Sequence, residues 1–414
     1  MSIVSFTFTD KDEDLTGSGS LTDPMGTQSV WQWYGRRLIA HLTEQTTVLE
    51  GFNMLCIIFK LYEEYCEENN TQELIPLTEF YLLLEQMFAL AVYNHNGQWL
   101  LPGIRGLKYQ INNRSKRNTI ELPTRILGNQ LSAGTWGLYR GAAIRARLLD
   151  ADGVRLSEDT AQNINHGLCN NKRNIFKAIQ TIRNNKKWSF NFVSNLGMEL
   201  KKSFLSKNNY ATLFNFLIKN DPFLINAHYH KLLDKQDDYR TIFKRLSSLK
   251  QFAQWKDVFE SIIACEDVTG TLDALFSVIY SGKDKTIKQT EKILKEAGFD
   301  LLKFKSAVKK LSAFPVTCTD GEARKRFQKY QKAFLSIKTL SEFITVYLEV
   351  HDFVIVSRGG NPWLYVEGDR IKANVEYVQK DCLTASPGKG WYHDYYLRPF
   401  RSIRRAFRKV SYFR

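Results

Sequence analysis

The run Thr47-Val-Leu-Glu-Gly-Phe-Asn-Met-Leu-Cys-Ile-Ile-Phe-Lys-Leu-Tyr-Glu-Glu-Tyr-Cys-Glu-Glu68 decides the fold class. Val48, Leu49, Phe52, Leu55, Ile58, Phe59, Tyr62 and Cys66 recur three and four residues apart, the period of an α-helix. The apolar face is wide, so the helix is expected to be well buried. Residues 78–93 repeat the pattern with Phe80, Leu83, Leu84, Met87, Phe88 and Ala91, and Thr78 is the expected N-cap. Two such helices suit an antiparallel pair. Residues 208–350 continue in the same period. Asp284–Ala297, stopped by Gly298, reads as one helix. Asp320 to about Val350 reads as another, with Phe327, Tyr330, Phe334, Ile337, Leu340 and Phe343 on its apolar side.

The flanks differ. Residues 3–9 alternate as a short strand, and residues 10–30, with Asp10, Asp12, Glu13, Asp14 and Asp23, read as an acidic, flexible arm. Beyond residue 350 the chain turns to strand chemistry at Phe353–Val356, Trp363–Glu367 and Ile371–Val378, with Gly368-Asp369 suited to a tight hairpin. The expected fold is therefore mainly α. A multi-helix body carries a small antiparallel β-meander near the C-terminus, followed by a basic amphipathic helix. Four consecutive segments are expected: the strand and arm over 1–30, a helical domain with a basic loop over 31–168, a basic helical domain over 169–350, and the meander with its helix over 351–414.

Hydrophobic residues make up 43% of the 414, enough for a true core. The six cysteines, Cys56, Cys66, Cys169, Cys265, Cys318 and Cys382, are scattered. No pair has zinc-knuckle spacing, and reduced thiols fit a cytoplasmic protein. The N-terminus shows no secretory pattern. No apolar run approaches the roughly 18 residues of a membrane span.

Charge is the strongest functional signal. Lys and Arg number 58 against 43 acids, a formal +15, and the excess is clustered. Arg105, Lys108, Arg114, Lys116 and Arg117 form an acid-free loop. Residues 170–207 hold nine basic residues, Lys172, Arg173, Lys177, Arg183, Lys186, Lys187, Lys201, Lys202 and Lys207, against one acid, Glu199. Residues 398–414 contain Arg398, Arg401, Arg404, Arg405, Arg408 and Lys409 with no acid at all. Arg401, Arg404, Arg405 and Arg408 share one helix face, opposite Phe400, Ile403, Phe407 and Val410. Guanidinium groups fork onto phosphates, and clustered cations bind polyanions by releasing their counterions. The expected function is a non-catalytic nucleic-acid-binding subunit, for DNA before RNA, working with other protein subunits of a bacterial complex and needing no cofactor. A nuclease, or a scaffold docking acidic proteins, are the alternatives.

Catalytic motifs are sparse. The glycines at 134, 137, 141 and 153 lack the Gly-Lys-Ser/Thr ending of a phosphate loop and read as close helix packing. Arg36 and His41 match a short ribonuclease-like spacing, His228-Tyr-His230 a metal-like pair, and Glu199-Leu-Lys201 and Asp369 with Lys372 fragments of a nuclease core. His393-Asp394 lies among Trp391, Tyr392, Tyr395 and Tyr396, which suits either base stacking or a hydrophobic latch.

Leu131-Ser-Ala-Gly-Thr-Trp-Gly-Leu-Tyr139, Ser357-Arg-Gly-Gly-Asn-Pro-Trp363 and Trp391-Tyr-His-Asp-Tyr-Tyr-Leu-Arg398 together resemble uncharacterised proteins of bacterial anti-phage defence islands. The resemblance implies a partner-dependent role and assigns no catalytic residue.

Overall fold

The computed structural model describes residues 23–69, 74–96, 119–121, 130–168, 171–185, 187–189, 193–204, 206–230, 238–317, 321–376 and 385–411. The protein is mainly α-helical, with a small antiparallel hairpin near the C-terminus followed by a helix. No described helix is long and apolar enough to cross a membrane. The chain forms two compact units, Met1–Leu38 with Lys235–Tyr395, and Ile39–Asp234 with Tyr396–Arg414. Neither is contiguous, unlike the consecutive segments drawn from sequence.

The second unit is built on Leu49–Glu68, whose residues 49, 51–59, 61 and 65 are buried. Gly51 lets Thr135–Arg145 approach: a Cβ there would lie 2.2 Å from Tyr139 Cζ. Phe52 meets the Tyr139 ring edge-on at 5.0 Å. Two buried asparagines of this unit are paired through their side-chain amides. Asn209 Nδ2 donates to Asn53 Oδ1 (2.9 Å) and to the Asn165 carbonyl (2.8 Å), and Asn53 Nδ2 donates to the Ser203 carbonyl (2.9 Å). Leaving one such group unpaired costs about 1–3 kcal/mol. The second predicted helix runs Leu77–Asn96, so Thr78 sits inside its first turn rather than at the cap.

The first unit surrounds the 25-residue helix Lys256–Tyr280, buried along most of its length. Thr27–Arg36, Tyr239–Ser247, Ile287–Glu296 and Leu301–Leu311 pack on it. Phe299, Phe304, Phe334 and Phe343 form an aromatic core, with Phe304 and Phe334 centroids 5.4 Å apart. The acidic arm ends earlier than expected, because Thr27 already starts a helix that buries Val30, Trp31 and Tyr34; the residues before Asp23 lie outside the described ones.

The long pattern over 320–350 is two helices, Gly321–Leu335 and Leu340–Val356, the latter opened by a Thr339/Glu342 capping box. Phe353–Val356 is the end of that second helix, not a strand. Burial of Val350, Val354 and Ile355 on one helical face overrides the strand preference of β-branched residues. The meander is thereby a two-stranded hairpin, Leu364–Glu367 with Arg370–Ala373, turned through Gly368 at φ 63°.

Candidate nucleic-acid interface

The arginine helix spans Leu397–Ser411. Pro399 falls in its first turn, where a backbone N–H has no intrahelical acceptor to lose. Leu397, Phe400 and Ile403 are buried, and Phe407 stacks on Phe214 at 4.0 Å and 5°. Arg398 and Arg405 are exposed, and Arg401 and Arg408 half-buried. Arg404 is different. It is 1% exposed, and its Nη2 donates to the His230 carbonyl at 3.2 Å. Position 404 follows 400 by one turn and so falls inside the docked sector. That carbonyl belongs to His230, the C-cap residue of Pro222–Tyr229, at the negative end of that helix. Arg404 thus anchors the helix and leaves the expected phosphate-binding set. The side chain of Lys409 lies outside the described residues.

In the helix Lys172–Asn185, Ile175, Phe176 and Ile179 are buried, and Arg173 and Lys177 are exposed. Lys172 is already engaged: its Nζ lies 2.8 Å from Glu68 Oε1 and 3.0 Å from Glu64 Oε2. Those carboxylates, Glu68 foremost, raise its pKa. Lys187 opens a short strand, Lys187–Ser189, while Lys186 and the loop residues Arg105, Lys108, Arg114, Lys116 and Arg117 lie outside the described residues. The structure therefore places Arg173, Lys172 and the arginine helix in one unit, docked on different helices. Lys172–Asn185 leans on Leu49–Glu68 through Phe176 and Tyr65 (5.3 Å), and the arginine helix leans on Lys207–Lys219.

No family model, curated protein or solved structure matches this chain. Its chemistry is read from its own residues.

The catalytic candidates do not assemble. His41 is buried, 3.8 Å from Asp221, and burial pulls its pKa down to about 4, so it is neutral at pH 7. Arg36 is exposed at its helix end. The His228 ring packs edge-on against Phe214 at 4.9 Å, and His230 is a helix cap. Glu199 is half-buried on Val193–Phe204, and Lys372 pairs with Asp284 at 3.0 Å rather than with Asp369. Among the described residues no group of three or more His, Cys, Asp or Glu side chains is placed to hold a metal.

The constellation around His393 is a buried clamp. Glu266 and Asp273, two helical turns apart on Lys256–Tyr280, grip opposite sides of the ring. Nδ1 is 2.8 Å from Glu266 Oε2, and Nε2 is 2.9 Å from Asp273 Oδ2. Tyr395 Oη donates to Glu266 Oε2 (2.9 Å), and the Tyr392 N–H donates to Glu266 Oε1. Trp31 stacks on the imidazole at 5.0 Å and 22°. Burial opposes charge on the ring, but the two carboxylates prevail and raise its pKa to about 10. Tyr395 and Tyr396 are buried, so neither offers a face to a base. Sequence reading missed Glu266 and Asp273, although three acids, Glu266, Asp267 and Asp273, within the mostly apolar stretch 261–280 are a visible signal.

Proposed function

We propose that this protein is a non-catalytic, nucleic-acid-binding subunit of a larger assembly, with duplex DNA as its ligand. One observation carries the reading. The arginine helix is held by Phe400, Ile403 and the Phe407–Phe214 stack, and it turns Arg398 and Arg405 outward from a stretch, 398–414, that has no acid. Such a surface is costly to leave facing its own charge and gains by meeting phosphates. Arg173 and Lys177 add exposed positive charge in the same unit. The resemblance to defence-island proteins supports a role beside other subunits, and co-purification from the native host tests that part.

Binding is expected to weaken steeply with salt, with log K falling against log salt by about 0.9 for each phosphate contacted. Fluorescence anisotropy with a labelled duplex measures this. Arg398→Glu with Arg405→Glu should lower the slope by about 2. A wild-type protein that binds no DNA at low salt removes the proposal.

A further inference from the structure

Residues 283–338 of the first unit contain fifteen lysines and arginines against six acids, an excess the clusters named from sequence left out. Packing sorts these charges. Leu301–Leu311 buries Phe304, Ala307, Val308 and Leu311 and exposes Leu302, Lys303, Ser306, Lys309 and Lys310. Its neighbour Gly321–Leu335 buries Ala323, Phe327, Tyr330 and Phe334 and exposes Arg324, Lys325, Gln328 and Lys332. The two apolar faces meet in one core through Phe304 and Phe334, so both basic faces turn away from it.

The described acids of this stretch are each engaged, and Asp320 lies outside the described residues. Asp284 pairs with Lys372, Glu291 accepts from Ser341, and Glu296 lies 3.9 Å from Lys292. Asp300 caps the first helix through the N–H groups of Leu302 and Lys303 and lies 3.7 Å from Lys303 Nζ, and Glu322 holds the buried Arg326. Among the described residues, no carboxylate lies within ion-pair distance of Lys309, Lys310, Arg324, Lys325 or Lys332.

We infer that the exposed sides of these two packed helices form a second polyanion-binding surface, fitted to the sugar–phosphate backbone of duplex DNA without regard to sequence. Lys303 and Lys310 are two turns apart, about 10 Å along the axis, as are Lys325 and Lys332. The exposed set is chiefly ammonium and guanidinium groups, with one amide, one hydroxyl, Glu322, Leu302 and Leu335. It offers no ring to stack on a base, so it positions a backbone rather than reading an edge. None of these residues belongs to the arginine helix, so the two surfaces succeed or fail separately.

The test is anisotropy with the full chain, two duplexes of unrelated sequence and a salt series. Lys309→Glu, Lys310→Glu and Lys325→Glu together sit on exposed positions, and circular dichroism checks that the variant folds. Both duplexes should lose affinity equally, by tenfold or more at about 0.1 M salt, and the salt slope should fall by about 3. Wild-type affinity in this variant, while Arg398→Glu with Arg405→Glu abolishes binding, overturns the inference and leaves the arginine helix standing. The converse keeps the lysine face and removes the helix. Leu302 is 79% exposed beside the lysines, so phosphatidylserine vesicles are a second probe. Vesicle binding lost in the lysine variant, with no DNA effect, would assign the face to a membrane surface and overturn the inference.

Discussion

Two histidines of the first unit carry opposite charge states, and their hydrogen-bond partners decide each. His351 Nε2 faces the Trp363 N–H at 2.9 Å and must accept, while Nδ1 faces the Pro24 carbonyl at 2.7 Å and donates. One proton satisfies both, and burial lowers its pKa. His393 faces carboxylate oxygens on both sides and needs two protons. Its folded pKa, about 10, lies above the ordinary value of 6.5. The stability it contributes is therefore complete below pH 6.5 and is lost as the pH rises through 10. Across that window the loss is about 1.4 kcal/mol per pH unit. Urea midpoints of wild type and His393→Gln at several pH values should differ by a gap that narrows with rising pH. A constant gap would show that His393 is not held charged. The rings and carboxylates of this cluster were visible in the sequence; their pairing across some 120 residues was not, since periodicity says nothing about distant partners.

At the scale of elements, local signals served well wherever a helix end is chemically marked. Gly298 at φ 77° stops its helix where the sequence placed a stop, though the helix starts at Ile287 rather than Asp284, capped by Thr286 through a box with Gln289. The failures came where tertiary burial competes with propensity, as at Phe353–Val356. Close approach was legible in part. Of the glycines named around 132–153, a Cβ at Gly137 would lie 2.2 Å from the Ser132 carbonyl oxygen and one at Gly153 2.5 Å from Ile144 Cδ1, whereas at Gly141 the nearest atom is 3.5 Å away; Gly51, on another helix, is the position that admits Tyr139. Gly51→Ala should overpack the contact and cost about 1–3 kcal/mol. Chemical denaturation measures it, and Gly141→Ala, whose methyl would meet only the end of the Arg145 side chain at ordinary contact distance, serves as the comparison. Equal stability of the two variants would refute the close approach.

For the whole molecule, the question is whether a formal +15 acts as bulk charge or as sites. Bulk charge attracts any polyanion in proportion to its amount. Exposed Lys250 and Lys256 supply the control, since reversing both to glutamate changes the net charge as much as reversing Arg398 and Arg405. Heparin retention and DNA affinity should drop far more for the arginine pair. Equal losses would mean that net charge alone governs binding. Each unit has its own core and its own exposed basic helices, so each can be tested within the full chain.

The sequence by itself determined the helical character, the excess of basic over acidic side chains and the amphipathic pattern of the arginine helix, because these follow from composition and from spacing within one turn or two. Only the tertiary structure decided that Arg404 is buried against a helix end, that Lys172 is claimed by Glu64 and Glu68, and that His393 is clamped. It also decided that Lys303, Lys309, Lys310, Lys325 and Lys332 are exposed on their helices. The physical reason is range. Helix formation answers to neighbours a few residues away, whereas exposure and charge state answer to whichever groups the fold brings alongside.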